Sequence, residues 1–322
     1  MKKIFWIILF SLFLTSCKQQ EITTSNITAS AYIVVEQSSN KILEGYNYDA
    51  QRSVASISKI MTAILAIENL PLDKKVIVSS DIKKAYGSSV YLKEGQLVTV
   101  EKLLYGLMLR SGNDAAIMLA VCVSNTVEQF VELMNQKAKQ LNLLNTYFSN
   151  PHGLDEEDNG NISSAYDMAI LYSYCMDNKT FNTITSSKSF DTFTNKNRLL
   201  KSYKYCTGGK TGFTKKAKRT LITSASKDNI NLIIVTLNCG NDFESHKSKY
   251  EYYFNNYQSI KVLNKGQNYF DNYCIDIKKE YYFITNLSDL NLFYEIKSKE
   301  RLISITLYDK NNNVVDYLQV QY

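Results

Sequence analysis

A serine and a lysine three positions apart, Ser56 and Lys59, are residues of this chain that could carry out covalent chemistry. They open the apolar run 56–70, which predicts a helix, and positions three apart lie on one helix face. A serine hydroxyl needs a base before it becomes a nucleophile. A lysine in an apolar pocket loses its proton more easily, because burial disfavours the ammonium ion. The pair is a candidate nucleophile and base; the alternative is a helix cap followed by a solvated lysine.

The same spacing recurs at Ser80 and Lys83 and at Ser224 and Lys227, so alone it carries little weight. A second polar group, Ser111-Gly112-Asn113, stands between two apolar stretches that are predicted to be helices. A corner between two buried helices can direct polar side chains into a cleft. An ordinary loop is the alternative.

A third group, Gly208-Gly209-Lys210-Thr211-Gly212, comes just before two predicted strands, 219–226 and 230–238. Glycines around a strand let the backbone of a ligand approach closely. Lys210 and Thr211 would then offer a charge and a hydroxyl to an anion. A phosphate-binding P-loop needs a further glycine five positions before Gly209, but Lys204 stands there.

Taken together, the three groups read Ser-x-x-Lys, Ser-x-Asn and Lys-Thr-Gly, separated by 55 and 99 residues. This order resembles the three-part signature of penicillin-binding proteins and serine β-lactamases. The resemblance extends over roughly residues 31–257. Several segments are similar to those of the low-molecular-mass, serine-type D-alanyl-D-alanine carboxypeptidases (peptidase S11): 55–62, 103–116, 150–155, 164–168 and 210–214.

The resemblance implies an α+β fold, with an antiparallel sheet and helices forming a DD-peptidase domain that is followed by a small all-β domain. It implies removal of the terminal D-alanine from peptidoglycan peptides ending in D-Ala-D-Ala, inhibition by β-lactams, a role in cell-wall synthesis and cell shape, and no cofactor or metal. In that reading Ser56 attacks, Lys59 is the base and Ser111 relays a proton to the leaving group. Backbone N–H groups of Ser56 and Phe213 would form the oxyanion hole. The implied substrate-binding residues are Asn113, Lys210, Thr211, Gly212 and Phe213.

The sequence departs from the family pattern in three places: Val54 replaces a usual proline, Asn161 an expected histidine, and the pair Asp242-Phe243 an arginine–aromatic pair. The departure at Asp242-Phe243 leaves open whether an arginine contributes to the substrate-carboxylate site. A serine β-lactamase is one alternative, but the Glu-x-x-Leu-Asn segment of the commonest class is missing between positions 150 and 164. A catalytically inactive wall-binding lipoprotein is another, and the three intact motifs argue against it.

The first residues predict export. Lys2 and Lys3 precede the apolar run 4–14, which is too short to span a bilayer and fits a secretory signal. Residues 14–17 resemble a lipobox ending at Cys17, the residue that would carry the lipid; a plain signal peptide is the alternative. The chain ends in a strand-like alternation, so a lipid on Cys17 is the expected anchor. The predicted location is the extracytoplasmic face of the cell membrane, facing the wall.

The remaining pattern predicts the domain order. With 45% hydrophobic and 21% charged residues, the 322-residue chain is globular, and its scattered net charge of +6 does not favour a nucleic-acid partner. Strands are predicted at 31–36 and 41–44, helices at 56–70, 100–109, 114–123, 127–141, 163–176 and 243–254, and short strands between 274 and 320. The predicted parts are a signal peptide (1–17), a polar tether (18–30), a catalytic domain (31–260) and a β domain (261–322).

Overall fold

The computed structural model describes residues 27–155, 160–270, 273–286, 292–299 and 302–321. Within them, helices cover an antiparallel sheet, and a region of strands follows, which confirms the predicted α+β class. The strands are β1 (Ala29–Glu36), β2 (Ile42–Tyr46), β3 (Arg52–Ser53), β4 (Lys75–Ile77), β5 (Leu97–Thr99), β6 (Ile162–Ser163), β7 (Ser189–Phe190), β8 (Phe193–Thr194), β9 (Cys206–Thr214), β10 (Lys218–Lys227), β11 (Ile230–Cys239), β12 (Tyr257–Leu263), β13 (Gly266–Phe270), β14 (Tyr273–Ile277), β15 (Tyr281–Asn286), β16 (Phe293–Lys299), β17 (Leu302–Tyr308) and β18 (Val314–Gln321). The helices are α1 (Lys59–Asn69), α2 (Val100–Tyr105), α3 (Asn113–Ser124), α4 (Val127–Gln140), α5 (Ala165–Met176), α6 (Lys179–Ser186), α7 (Leu199–Ser202) and α8 (Asp242–Asn256).

The central sheet has the strand order β2-β1-β11-β10-β9, with antiparallel neighbours. Successive side chains of a strand point to opposite faces. In β11, Ile233 and Val235 pack into the core that contains α1, α3 and α5, whereas Leu232 and Ile234 pack on the other face with α8. The apolar run 232–235 of β11 is therefore buried on both faces of the sheet. Strand β9 lies at one edge of this sheet in the described part of the chain.

The strands after α8 form smaller antiparallel sheets: β12 with β15, β13 with β14, and β16 with β17 and β18. Their buried side chains, among them Leu263, Phe283, Ile305 and Val320, form a separate apolar cluster. The predicted strands between 274 and 320 are confirmed within two or three residues, whereas β12 and β13 were not predicted.

Three local features differ from the sequence-based expectation. Residues Ala55–Ser58 form a 3₁₀ turn before α1, where a helix beginning at Ser56 was expected. The helix expected over 100–109 ends at Tyr105 and continues as a π-helical turn, Gly106–Arg110. The glycine-rich group is itself part of β9 and not a segment preceding the strands.

No single helix in the described part of the chain is long and apolar enough to cross a bilayer. Helices α3 and α4 pass such a test only as a pair, with a bend of 84° between them. Both contribute side chains to the core beneath the sheet, among them Leu119 and Phe130.

Candidate active site

Ser56 lies in the 3₁₀ turn that precedes α1. In a 3₁₀ turn the side chains at positions i and i+3 eclipse each other, so Lys59 stands directly beside Ser56. The Nζ atom of Lys59 lies 2.9 Å from the Oγ atom of Ser56. Ala55, just before the serine, has a φ of 51°, a left-handed conformation that is unusual outside glycine and is often found at functional sites. The turn thus presents a serine to a cleft and a buried amine to the serine.

The surroundings of Lys59 determine how its nitrogen is used. Nζ lies 2.8 Å from Asn113 Oδ1 and also contacts the carbonyl oxygen of His152. Both of these oxygens can only accept hydrogen bonds. A neutral amine has two N–H groups and one lone pair, so these two oxygens take both N–H groups. The lone pair is then directed at Ser56, the neighbour that has a proton to give.

The electrostatics favour that neutral form. Lys59 has no solvent-exposed surface. Burial lowers its pKa well below the usual lysine value, and the positive charges of Lys210 and Lys196 lower it further. The negative charge of Asp114 acts in the opposite direction but is the smallest of these effects. The structure thus contains a lysine whose surroundings favour the neutral form that can accept a proton.

The carbonyl of His152 belongs to a segment that is fixed by side chains. Asn161 accepts hydrogen bonds from the backbone N–H groups of residues 149 and 150 and donates one to the carbonyl of Asn150. Thr62 donates to the carbonyl of Pro151, with 2.6 Å between the oxygens. A Cβ atom on Gly153 would overlap the carbonyl oxygen of Ala55, so the close approach of this segment to the nucleophile turn requires glycine there.

Ser111 and Lys210 form the second reactive pair. Ser111 follows the π-helical turn with a φ of 65°, and its Oγ atom lies 3.0 Å from Lys210 Nζ. Lys210 also donates to the carbonyl of Thr211, at 2.7 Å. Burial, followed by the charge of Lys196, lowers the pKa of Lys210 to about 7. The pair can therefore exchange a proton in the neutral pH range.

Strand β9 forms one wall of the cleft. Among the described strands it pairs only with β10, so alternate N–H and C=O groups of its other edge face the cleft. A Cβ atom on Gly212 would overlap Thr220 Oγ1 and lie 3.0 Å from the backbone nitrogen of Ser56. Glycine therefore brings the strand edge close to the nucleophile turn. Thr211, Gly212 and Phe213 all line the cleft.

The wall opposite β9 is organised by two neighbouring residues at the start of α3. Asn113 donates to the carbonyl of Tyr86 in addition to contacting Lys59. The Asp114 carboxylate accepts from the Ser89 hydroxyl at 2.6 Å and from the N–H groups of Val90 and Leu92, each at 3.0 Å. These bonds hold the segment 86–92 against the cleft, where Ser88 lines it.

The cleft has a volume of about 490 Å³ and contains several residues that the motifs did not predict. Arg219 of β10 makes a two-point ion pair with Asp242, at 2.7 and 3.1 Å, so an arginine from another strand lies beside the position where the family usually has one. Such residues carry no local signal because they come from four separate segments of the chain. The unpredicted lining residues are Ser88, Lys196, Arg198, Arg219, Asp242 and Phe243.

The structure brings together all the candidate site residues that it describes. Cys17 lies outside the described residues. The other two Ser-x-x-Lys pairs are not sites of this kind. Lys83 is exposed and forms an ion pair with Glu94. Ser224 and Lys227 lie three positions apart in β10, so their side chains point to opposite faces of the sheet.

Comparisons with known proteins identify what this arrangement is similar to. A sequence family described as D-alanyl-D-alanine carboxypeptidase, peptidase S11, matches residues 17–241. The D-alanyl-D-alanine carboxypeptidase DacF of Bacillus subtilis is 34% identical over 270 residues, which cover 78% of this chain and 69% of DacF. Among solved structures, penicillin-binding protein 5 of Haemophilus influenzae superposes with a TM-score of 0.79 at 26% identity, covering 93% of this chain and 97% of that one. Penicillin-binding protein 6B of Escherichia coli gives 0.76 at 27% identity, covering 92% and 96%.

Proposed function

The chain belongs to the peptidase S11 family of D-alanyl-D-alanine carboxypeptidases, and from this premise we propose the role of each residue in its cleft. The protein is a serine-type D-Ala-D-Ala carboxypeptidase, a penicillin-binding hydrolase that acts on peptidoglycan peptides. The observation that carries the proposed roles is the contact between Ser56 and a fully buried Lys59 whose other two neighbours are acceptors.

In the first step Ser56 Oγ attacks the carbonyl carbon of the terminal D-Ala-D-Ala bond. The serine proton passes to the lone pair of Lys59 as the new C–O bond forms. Negative charge then develops on the former carbonyl oxygen. The N–H groups of Ser56 and Phe213 bind that oxygen, each contributing about 3–4 kcal/mol by analogy with other hydrolases. The close approach of Gly212 to the Ser56 nitrogen supports this assignment.

In the second step the C–N bond breaks. The leaving D-alanine nitrogen takes a proton from Ser111, which regains one from Lys210, 3.0 Å away. Release of D-alanine leaves the peptide as an ester on Ser56. Water then attacks this ester and gives a proton to Lys210, which is neutral after the second step. The bond between the acyl carbon and Ser56 Oγ breaks, and Ser56 takes back the proton that Lys59 holds, so both lysines return to their starting states.

Substrate binding uses the wall formed by β9. The peptide backbone pairs with the free edge of β9 as an added strand, and Asn113 hydrogen-bonds to it from the opposite wall. Thr211 and protonated Lys210 bind the terminal carboxylate. These roles are supported by three observations: Thr211 lines the cleft, Lys210 contacts the cleft residue Ser111, and Asn113 contacts Lys59 beside Ser56.

Two further features belong to the proposal. Residues 31–260 are the catalytic domain and 261–322 the β domain, a division supported by the separate apolar cluster of the later strands.

Residues 1–17 are a signal sequence, and Cys17 carries a lipid that holds the protein at the outer face of the membrane through the tether 18–30. The lipobox-like residues before Cys17 support this anchor.

Labelling with a tagged penicillin, followed by peptide mass spectrometry, tests the nucleophile. The expected adduct is on Ser56, together with release of D-alanine from a D-Ala-D-Ala peptide. Ser56→Ala should lose both activities. Ser80→Ala is the matched control, because Ser80 begins an exposed Ser-x-x-Lys pair, and it should keep both. An adduct on any other serine, or labelling of Ser56→Ala at the wild-type rate, would contradict the assignment.

A further inference from the structure

The cleft contains more positive charge than one substrate carboxylate requires. Four cationic side chains border it: Lys196, Lys210, Arg198 and Arg219. Asp242 is the acidic residue among those lining the cleft, and it is already engaged in the two-point ion pair with Arg219.

Two of these cations, Lys196 and Lys210, contact or lie near residues of the reacting centre. Lys210 contacts Ser111 and the Thr211 carbonyl. Lys196 donates to the Ser88 hydroxyl at 3.2 Å and is close enough to lower the pKa of both Lys59 and Lys210. Lys196 and Lys210 therefore lie close to the residues proposed to act on the scissile bond.

Arg198 is different. No acidic partner contacts it among the described residues, and its guanidinium carbon lies 4.6 Å from the centre of the Phe243 ring. The same ring lies 5.6 Å from the guanidinium of Arg219. Stacking on a ring holds a guanidinium in place while leaving its N–H groups free for an anion.

The backbone beneath Arg198 is fixed, so the side chain is presented from a rigid position. Asn197, which is 1% exposed, donates to the Gly208 carbonyl of β9 at 3.1 Å and accepts from the Leu199 N–H. Asn195 accepts from the Asn197 N–H at 2.9 Å. This buried ladder ties residues 195–199 to the substrate-binding strand, and Arg198 projects from it at the border of the cleft.

We propose that Arg198 is a specificity-determining residue that binds a second carboxylate of the substrate, one located outside the D-Ala-D-Ala unit. The inference rests on the proposed function and names the substrate class, an acidic stem peptide whose third residue bears a free carboxylate. A cleft of about 490 Å³ lies within the range of roughly 300–1,000 Å³ found for pockets that enclose drug-sized ligands, so it accommodates this extra residue.

Two substrates that differ by one carboxylate test the inference: diacetyl-meso-diaminopimelyl-D-Ala-D-Ala and diacetyl-lysyl-D-Ala-D-Ala. The wild-type protein should have a kcat/KM about tenfold higher for the first, the size expected for a partly exposed charge-assisted hydrogen bond. Arg198→Gln should bring that ratio close to one, and Arg198→Lys should keep part of it. Lys201→Gln is the matched control, since it removes a positive charge from the same segment outside the cleft lining, and its ratio should equal that of the wild type.

A wild-type ratio near one would overturn the inference. So would equal losses on both substrates in Arg198→Gln, which would assign Arg198 to the terminal carboxylate, or an equal drop of the ratio in Lys201→Gln. Acylation by penicillin is measured on the same wild-type preparation. A protein that is acylated but has no preference contradicts this inference alone. A protein that neither acylates nor releases D-alanine contradicts the proposed function and the inference with it.

Discussion

Lys210 and Ser111, 99 positions apart in the chain, lie on opposite walls of the cleft and are joined by a hydrogen bond of 3.0 Å. Lys59 and Ser56 form a similar pair at 2.9 Å. Both lysines are almost inaccessible to solvent, and burial is the main cause of the low pKa of each. Their neighbours differ, so we expect the two lysines to respond differently to substitution.

Lys59→Arg should be nearly inactive, with penicillin acylation and D-alanine release lowered by about 10²–10⁴-fold, the usual contribution of a general base. A guanidinium stays charged near neutral pH and cannot take the serine proton. Lys210→Arg keeps a positive charge for the carboxylate and should retain more activity. Acylation rates and kcat/KM measure both effects. Lys227→Arg, in a Ser-x-x-Lys pair outside the cleft, should match the wild type; equal losses at Lys59 and Lys210 would undermine the division of roles.

The pH profile of kcat/KM should have two limbs. On the acid side activity falls as Lys59 gains the proton that prevents it from acting as a base. On the alkaline side it falls as Lys210, whose pKa is lowered to about 7, loses the charge that binds the carboxylate. In Lys210→Arg the alkaline limb should move to higher pH, because arginine does not titrate there. If the alkaline limb stays at the same pH in Lys210→Arg, the titration of Lys210 is not its cause.

Stability should also depend on the protonation of Lys210. Its pKa is about 10.4 in an unfolded chain and about 7 in the folded protein, so between these values the unfolded state binds more protons. Wild-type stability, compared with Lys210→Met, should therefore rise from pH 7 to pH 10, by an amount on the order of a few kcal/mol. Thermal unfolding of both proteins across this range measures the difference. Lys201→Met, at an exposed site, should show no such trend, and a constant difference for Lys210→Met would contradict the low folded-state pKa.

Asp114→Asn should weaken the wall of the cleft that carries Ser88. The carboxylate accepts from Ser89, Val90 and Leu92, and an amide cannot accept all of these bonds. We expect a loss of about 1–3 kcal/mol in stability and a higher KM. Because the negative charge of Asp114 raises the pKa of Lys59, the acid limb of the profile should also move to lower pH. Asp73→Asn, at an exposed position, is the control; an acid limb that stays in place in Asp114→Asn would show that this charge does not reach Lys59.

Cys17→Ser should release the protein into the medium or leave it as an uncleaved precursor, while the catalytic activity of the protein persists. One acyl chain holds a protein to a membrane only weakly, whereas the two chains of a diacylglyceryl group hold it stably. Fractionation and labelling with a radioactive fatty acid measure this. Cys274→Ser, which changes an exposed cysteine elsewhere, should remain lipidated. A wild-type protein that is free of lipid and soluble outside the cell would refute the anchor and leave the enzymatic assignment intact.

Much of the architecture was predictable from sequence because it depends on local patterns. The alternation and length of apolar runs predicted most strands and helices. The local chemistry was harder to predict. The 3₁₀ turn at Ser56 and the π-helical turn before Ser111 use the same residue types as ordinary helix. The first packs against the His152 segment and β9, and the second against α1 and β8, which are contacts that no local pattern records.

The sequence by itself determined which residues could carry the reaction, since Ser56, Lys59, Ser111, Asn113 and Lys210 occur in an ordered, recognisable series. Tertiary structure alone decided which other side chains meet them. Arg198 directly precedes α7, Arg219 lies in β10 and Phe243 lies in α8. Their spacing in the sequence forms no motif that would predict their meeting. The amino-acid composition likewise does not predict the low pKa of Lys59 and Lys210. Burial and charge at close range cause it, and both depend on distances in space between segments far apart in the chain.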